Sequence, residues 1–162
     1  MQAQNNQTNG EPQAGTTGGQ FTTFYVNGML FGVEVVKVQE VFRAQATTRV
    51  PLAPAVVSGL INLRGQIVTA IDMRRRLNLP PRGPDQKPMN IVVRTAEEPV
   101  SLWVDEIGDV VEVDAASFER RPQNVDPQVC DLIRGVYKLK DKLLLILDTA
   151  SIAQSDVREH VN

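Results

Sequence analysis

Moving residues 59–72, GLINLRGQIVTAID, along the chain by 76 positions lays them on residues 135–148, GVYKLKDKLLLILD. Gly59 falls on Gly135, Leu63 on Leu139, Arg64-Gly65 on Lys140-Asp141, Ile67 on Leu143 and Asp72 on Asp148. Each copy reads as an apolar strand, a two-residue turn, a second apolar strand and an aspartate that caps a short helix. A weaker echo, at a shift of 71, sets Phe31-Gly32-Val33-Glu34 on Leu102-Trp103-Val104-Asp105. Two small β units built to one plan follow, and each is too poor in residues to bury a good core alone. They must therefore pack together or interleave.

The residues around the repeat agree with a β fold. Val and Ile together number 30 against 13 Leu, a β-branched bias that disfavours an all-helical bundle. FTTFYV and MLFGVEV flank Asn27-Gly28, a dipeptide suited to a type I′ turn because both central residues need positive φ. In the second run Met29, Phe31, Val33 and Val35 alternate and so share one face, with Glu34 on the other. The spacing of Val35, Val38, Val41 and Phe42 then predicts a helical turn or two at a corner. Asp72 before MRRRLNL predicts a capped short helix, and Pro80, Pro81, Gly83, Pro84 and Pro88 predict a connecting loop. Residues 1–20 hold five Gln and no Val, Ile, Leu or aromatic, which predicts a disordered tail. Residues 148–159 read as a closing helix, and 158–162 as a flexible end.

Several chemistries find no support in the residues. One cysteine, Cys130, makes neither an internal disulfide nor a thiolate metal cage, and the sole histidine, His160, lies third from the end beyond the last core residue, which argues against a Ser-His-Asp or Cys-His site. There is no Walker-type phosphate loop or GxGxxG fingerprint, and no apolar run reaches the roughly 18 to 20 residues that span a bilayer. No cofactor or metal is expected. The formal charge of -2 gives no chain-wide reason to expect a polyanion, although Arg74-Arg75-Arg76 with Arg82 and Lys87 is the best local argument for nucleic acid. Three consecutive helical residues project about 100° apart, so these arginines read as a solvated helix face. Asp105, Glu106 and Asp109 read as a solvated acidic edge, and Asp72 and Asp148 as helix caps. A small β-barrel nucleic-acid binder using Arg74 to Arg76 and Arg82, and an enzyme using Asp105, Asp109 or Asp148, stand as rivals. Glu40 and Arg64, on residue grounds alone, read as two unrelated surface charges for which a pair is conceivable.

The run VEVVKVQEVF (33–42), then Arg49-Val50-Pro51, then VSGLINLRGQIV (57–68) and Ile71-Asp72-Met73-Arg74 resembles the CheW family of chemotaxis coupling proteins. Val104-Asp105-Glu106-Ile107 with Asp109-Val110, then Arg121-Pro122 and Leu145-Ile146-Leu147-Asp148, extend the resemblance over nearly all of residues 21–153. It implies a mainly β fold of two small five-stranded SH3-like barrels related by a pseudo-twofold, with short helices and a C-terminal helix. The two barrels would be interleaved within residues 21–157, dividing near residues 80–90. It further implies a non-catalytic, cytoplasmic scaffold of two-component signal transduction, joining the helical tip of methyl-accepting chemoreceptors to the regulatory domain of the histidine kinase CheA. Such a protein reaches arrays at the inner membrane only through receptors, and binds no nucleic acid. Carried over residue by residue, Val38, Glu40, Arg64 and Val110 match receptor-binding positions, and Arg121 and Pro122 match a kinase-binding segment. Ser101 stands where a glycine is common and Trp103 is bulkier than the usual aliphatic, which implies altered packing in the second barrel.

Overall fold

The computed structural model describes residues 18–43, 45–120 and 124–154. In chain order the strands are β1 (Gly19–Val26), β2 (Met29–Glu34), β3 (Val38–Arg43), β4 (Val57–Leu63), β5 (Gln66–Asp72), β6 (Met89–Val93), β7 (Val100–Val104), β8 (Glu106–Val113), β9 (Phe118–Glu119), β10 (Ile133–Lys138) and β11 (Leu143–Leu147). Short helices α1 (Met73–Arg76), α2 (Pro127–Cys130) and α3 (Thr149–Gln154) and two 3-10 turns, Val35–Lys37 and Ala115–Ser117, join them. The strands form one sheet in the order β8-β1-β2-β11-β10-β9 and another in the order β3-β6-β7-β5-β4.

The repeat read in the sequence is the β4–β5 hairpin and its counterpart β10–β11. Each hairpin lies parallel to a strand from elsewhere, β5 beside β7 and β11 beside β2, and each of those strands pairs antiparallel with the one before it, β6 or β1. The strand orders therefore match, with β3 and β8 as corresponding edges. In the place of β9 the five-stranded sheet has a single bridge, Thr48 to Leu60. These are two SH3-like barrels built to one plan.

Alternation along the strands divides the apolar side chains among three cores. Phe21, Leu30, Tyr137, Leu144 and Ile146 fill one barrel, and Ile61, Leu63, Val68 and Val92 fill the other. The largest cluster draws on both sheets, with Phe24, Phe31 and Leu145 from one and Ile71, Ile91 and Leu102 from the other. In β11, Leu144 and Ile146 enter a barrel while Leu145 and Leu147 enter the shared core. A strand buried on both faces reads as a continuous apolar run, which is why LLLIL lacks polar alternation. Fully burying each such side chain contributes about 1.5–3 kcal/mol, so the shared core binds the barrels firmly.

Four expectations shift. The helical corner is one 3-10 turn, after which Val38–Arg43 is a strand whose burial alternates, leaving Val41 on the outer face at 38% exposure. The spacing that suggested a helix is overridden by the ladder with β6. The chain leaves the six-stranded sheet after Glu34 and returns at Glu106, so the barrels do not divide near residues 80–90; that loop lies inside the five-stranded barrel's segment. β1 starts at Gly19, inside the expected tail, because Gly19 and Gln20 join the ladder of β8 through backbone groups. Ladder positions also move the weaker echo by two residues: Phe31 sits beside Leu145 as Val100 sits beside Thr69. The rest of the expected tail, residues 1–17, and residues 155–162 lie outside the described residues.

The matched glycines of the repeat serve one purpose. Each sits at a register shift, between Val57 and Gly59 and between Ile133 and Gly135, where a third segment crosses closely. A Cβ on Gly59, whose φ is +148°, would stand 2.6 Å from the Thr48 carbonyl oxygen, and one on Gly135 would stand 2.5 Å from Phe118 Cζ and 2.7 Å from the Glu119 oxygen. Overpacking of this kind costs about 1–3 kcal/mol. Gly135→Ala should accordingly lower the unfolding free energy by that much, seen as a lower denaturant midpoint at unchanged slope, whereas Gly83→Ala, where a Cβ meets open space, should be neutral or slightly stabilising.

Candidate functional site

The turn between β4 and β5 is built to display one side chain. Arg64 and Gly65 have φ of 54° and 88°, the two positive values of a type I′ turn. Asn62 Oδ1 accepts from the Gly65 N–H at 2.8 Å and holds that geometry. Arg64 at the apex donates from Nη2 to Glu40 Oε1 at 3.1 Å. The arginine side chain is 82% exposed and the glutamate 25%. Glu40 lies on β3 and Arg64 follows β4, the two outer strands of the five-stranded sheet, so the pair closes the barrel across its open seam. The residues that looked unrelated on local grounds are thus partners, with much of the guanidinium still facing solvent.

Apolar groups flank this pair. Ile67, paired with Asn62 in the ladder, is 57% exposed, and Val41 adjoins Glu40. Val38 is half-buried against the shared core and pairs with Val93. Val110 is exposed on β8, the corresponding edge of the other sheet, and so is not brought to the Glu40–Arg64 pair by strand pairing. Arg121 and Pro122 lie outside the described residues. The assembled surface can bind a mixed apolar and acidic partner face, since an Arg fork takes carboxylates directionally and exposed aliphatics supply contact area.

A second cluster corrects the reading of Arg74, Arg82 and Asp105 as solvated, while Glu106 and Asp109 are exposed as expected. Arg74 grips Asp105 with Nε to Oδ1 at 2.9 Å and Nη2 to Oδ2 at 2.7 Å, and its Nη1 donates to the Pro80 carbonyl at 2.9 Å. Arg82 Nε stands 3.0 Å from Asp105 Oδ1, its Nη1 donates to Asp72 Oδ1 at 3.0 Å and its Nη2 to the Trp103 carbonyl at 3.1 Å. The Asn27 N–H completes the set, donating to Asp105 Oδ2 at 2.7 Å. Arg82 and Arg74 are only 8% and 11% exposed, so neither offers a free cationic face to phosphates. Arg75 remains on the surface. Asp72 does cap α1 as expected, accepting from the Arg74 N–H, and Asp148 caps α3 through the Ala150 N–H. No periodicity signals this cluster: Asp105 alternates with apolar residues as a wet strand edge would, and its partners Arg74 and Asn27 are 31 and 78 positions away.

Burial by itself pushes the Asp105 carboxyl up, but the Arg74 guanidinium, the Asn27 N–H and the Arg82 charge outweigh it and hold it below the ordinary aspartate value. The hydrogen bond to Asp105 likewise holds the Arg74 guanidinium above its usual value against desolvation. A carboxyl depressed in the folded state stabilises above its unfolded pKa of about 3.9, and that contribution is lost as pH falls through the folded value. Asp105→Asn should cost about 3 kcal/mol at pH 7, because the buried Arg74 guanidinium loses its carboxylate and Arg82 keeps only Asp72. Denaturation across pH should show that gap narrowing as the parent's carboxyl protonates in acid.

Among the described residues no three His, Cys, Asp or Glu side chains gather as a metal site, and no helix is long and apolar enough to cross a membrane. Residues 20–157 match the family model described as a CheW-like domain. A protein of Bacillus subtilis named chemotaxis protein CheW is 31% identical over 140 residues, covering 86% of this chain and 90% of that one. Its namesake from Rhizobium meliloti is 28% identical, over 89% and 94% of the two chains. The crystal structure of the scaffolding protein TtCheW from Thermoanaerobacter tengcongensis superposes with a TM-score of 0.79 at 26% identity, covering 89% of this chain and 98% of that one.

Proposed function

This chain belongs to the CheW-like family of chemotaxis proteins, and from that premise we propose that it is a non-catalytic adaptor coupling chemoreceptor cytoplasmic tips to a CheA-type histidine kinase. The observation that carries the reading is the Glu40–Arg64 pair, set on a rigid turn at a barrel seam among exposed aliphatics. In this reading the receptor's helical hairpin lays its apolar face against Val38, Val41 and Ile67. The free donors of Arg64 take an acceptor on the hairpin, and Glu40 fixes the fork and rejects acidic misfits. Val110 contributes from the edge of the second barrel. Arg121 and Pro122 belong to the contact with the kinase regulatory domain. Signalling then needs no bond chemistry: receptor conformations that contact the adaptor differently shift the kinase by the difference in binding free energy. The protein works at the cytoplasmic face of the membrane and meets it only through receptors.

The nucleic-acid alternative loses its main support where Arg74 and Arg82 are neutralised by Asp72 and Asp105. Arg64→Ala should leave the melting temperature nearly unchanged, since an exposed ion pair contributes at most about 1 kcal/mol, while weakening binding of a receptor-tip fragment about tenfold. Calorimetric titration of the parent and Arg64→Ala with such a fragment checks this, and equal affinities would remove Arg64 from the receptor surface. A parallel titration with the kinase regulatory domain should show saturable binding that Arg121→Glu weakens; no complex with any kinase of this type would end the adaptor reading.

A further inference from the structure

The apex of the β4–β5 hairpin puts an arginine where the backbone favours another residue. Arg64 holds a left-handed φ of 54°, which glycine and asparagine adopt most readily. The β1–β2 turn shows the favoured choice, with Asn27 at φ of 50° ahead of Gly28. Asparagine supports that backbone through its own short amide, and arginine has none. In the matched β10–β11 turn neither Lys140 nor Asp141 is left-handed, and the Leu139 N–H closes the turn on the Lys142 carbonyl at 2.9 Å. The left-handed arginine is thus a departure from both other hairpins, and a neighbour holds it. Asn62 Oδ1 accepts from the Gly65 N–H, and the Asn62 carbonyl accepts from Gln45 Nε2 at 3.3 Å. That carbonyl faces the barrel seam, because Leu60, two residues earlier, exchanges both its backbone bonds there with Thr48. In the second hairpin the place of Asn62 is taken by Lys138, which pairs with Glu119. The side-chain clamp therefore accompanies the left-handed apex and is missing from the copy that lacks one.

We infer that Asn62 is a positioning residue for partner recognition, which acts only through Arg64 by holding the turn that aims the guanidinium along the seam toward Glu40. The inference rests on the adaptor reading, in which Arg64 meets the receptor hairpin. Arg64 is largely exposed and touches Glu40 through one nitrogen, so the turn backbone sets most of its direction. A long side chain loses rotamer freedom when a partner fixes it, and one already aimed and rested on Glu40 loses less. Without the Asn62 acceptor the Gly65 N–H turns to water and the apex is free to leave the left-handed conformation. The Arg64 fork then swings away from Glu40 and must be ordered again when the partner arrives. Little of the fold depends on the same bond, because Asn62, Arg64 and Gly65 are all exposed and water replaces the lost acceptor. Backbone strain kept at an exposed recognition residue is thereby explained by binding.

The test is a double-mutant cycle on the full chain. The parent, Asn62→Ala, Arg64→Ala and the double variant are each titrated with a receptor-tip fragment from the same genome. The parent and Asn62→Ala are also titrated with the regulatory domain of a CheA-type kinase. Asn62→Ala should melt within about 3 °C of the parent. It should bind the receptor fragment about fivefold more weakly, the worth of one hydrogen bond, and the kinase domain equally well. With Arg64 already replaced, adding Asn62→Ala should change receptor affinity by less than about 1.5-fold, because nothing remains for the clamp to aim. Parental receptor affinity in Asn62→Ala overturns the inference. A fivefold loss that persists on top of Arg64→Ala also overturns it, since Asn62 would then touch the partner itself. So does an equal loss toward both partners, the mark of a merely structural role. Each of these three results leaves the adaptor reading standing. A parent chain that binds no receptor fragment overturns both.

Discussion

A carboxylate withdrawn from water needs cations and N–H donors around it, and in this chain that carboxylate is the hinge point of the architecture. Asp105 is the single residue between β7 and β8, where the chain passes from one sheet to the other. Its N–H donates to the Tyr25 carbonyl at 2.9 Å, and its side chain is held by Arg74, Arg82 and the Asn27 N–H. The β1–β2 turn of one barrel and the α1 region of the other are therefore tied to one atom group. The shared core supplies most of the cohesion between barrels, but hydrophobic burial has no direction. Bidentate guanidinium contacts do, and the Arg74 fork on Asp105 fixes α1 beside the link from β7 to β8.

Duplication explains the economy of the scaffold, and the two copies diverge at their turns. Both barrels share strand order, a glycine at a register shift and an aspartate that caps the helix after the hairpin. At the apex the copies part. Arg64 reaches Glu40 across the seam of its barrel, while in the second hairpin Lys142 packs over the Tyr25 ring at 5.5 Å and donates to its hydroxyl. A ladder tolerates such changes because turn side chains bear little of the packing, so recognition groups accumulate there.

Features settled within a few residues were legible from the amino-acid sequence alone. Asn27-Gly28 and Arg64-Gly65 turn where positive φ is tolerated, Asp72 and Asp148 cap helices through neighbours two positions away, and the 76-residue repeat declares two like units. The motif from Val57 to Val68 is specific enough to point to the family. What the sequence could not settle is which distant segments meet. Val38 to Phe42 carries helical spacing, yet becomes a strand because β6 lies alongside it. Arg74 looks like one of three surface arginines, yet is buried because Asp105 arrives beside it; Glu40 and Arg64 pair only because the barrel brings its outer strands together. A turn or a cap is decided by bonds between near neighbours, so its chemistry is written in adjacent letters. A ladder or a buried ion pair is decided by chain ends of long loops, where side-chain type admits many partners and only the closed tertiary structure chooses one.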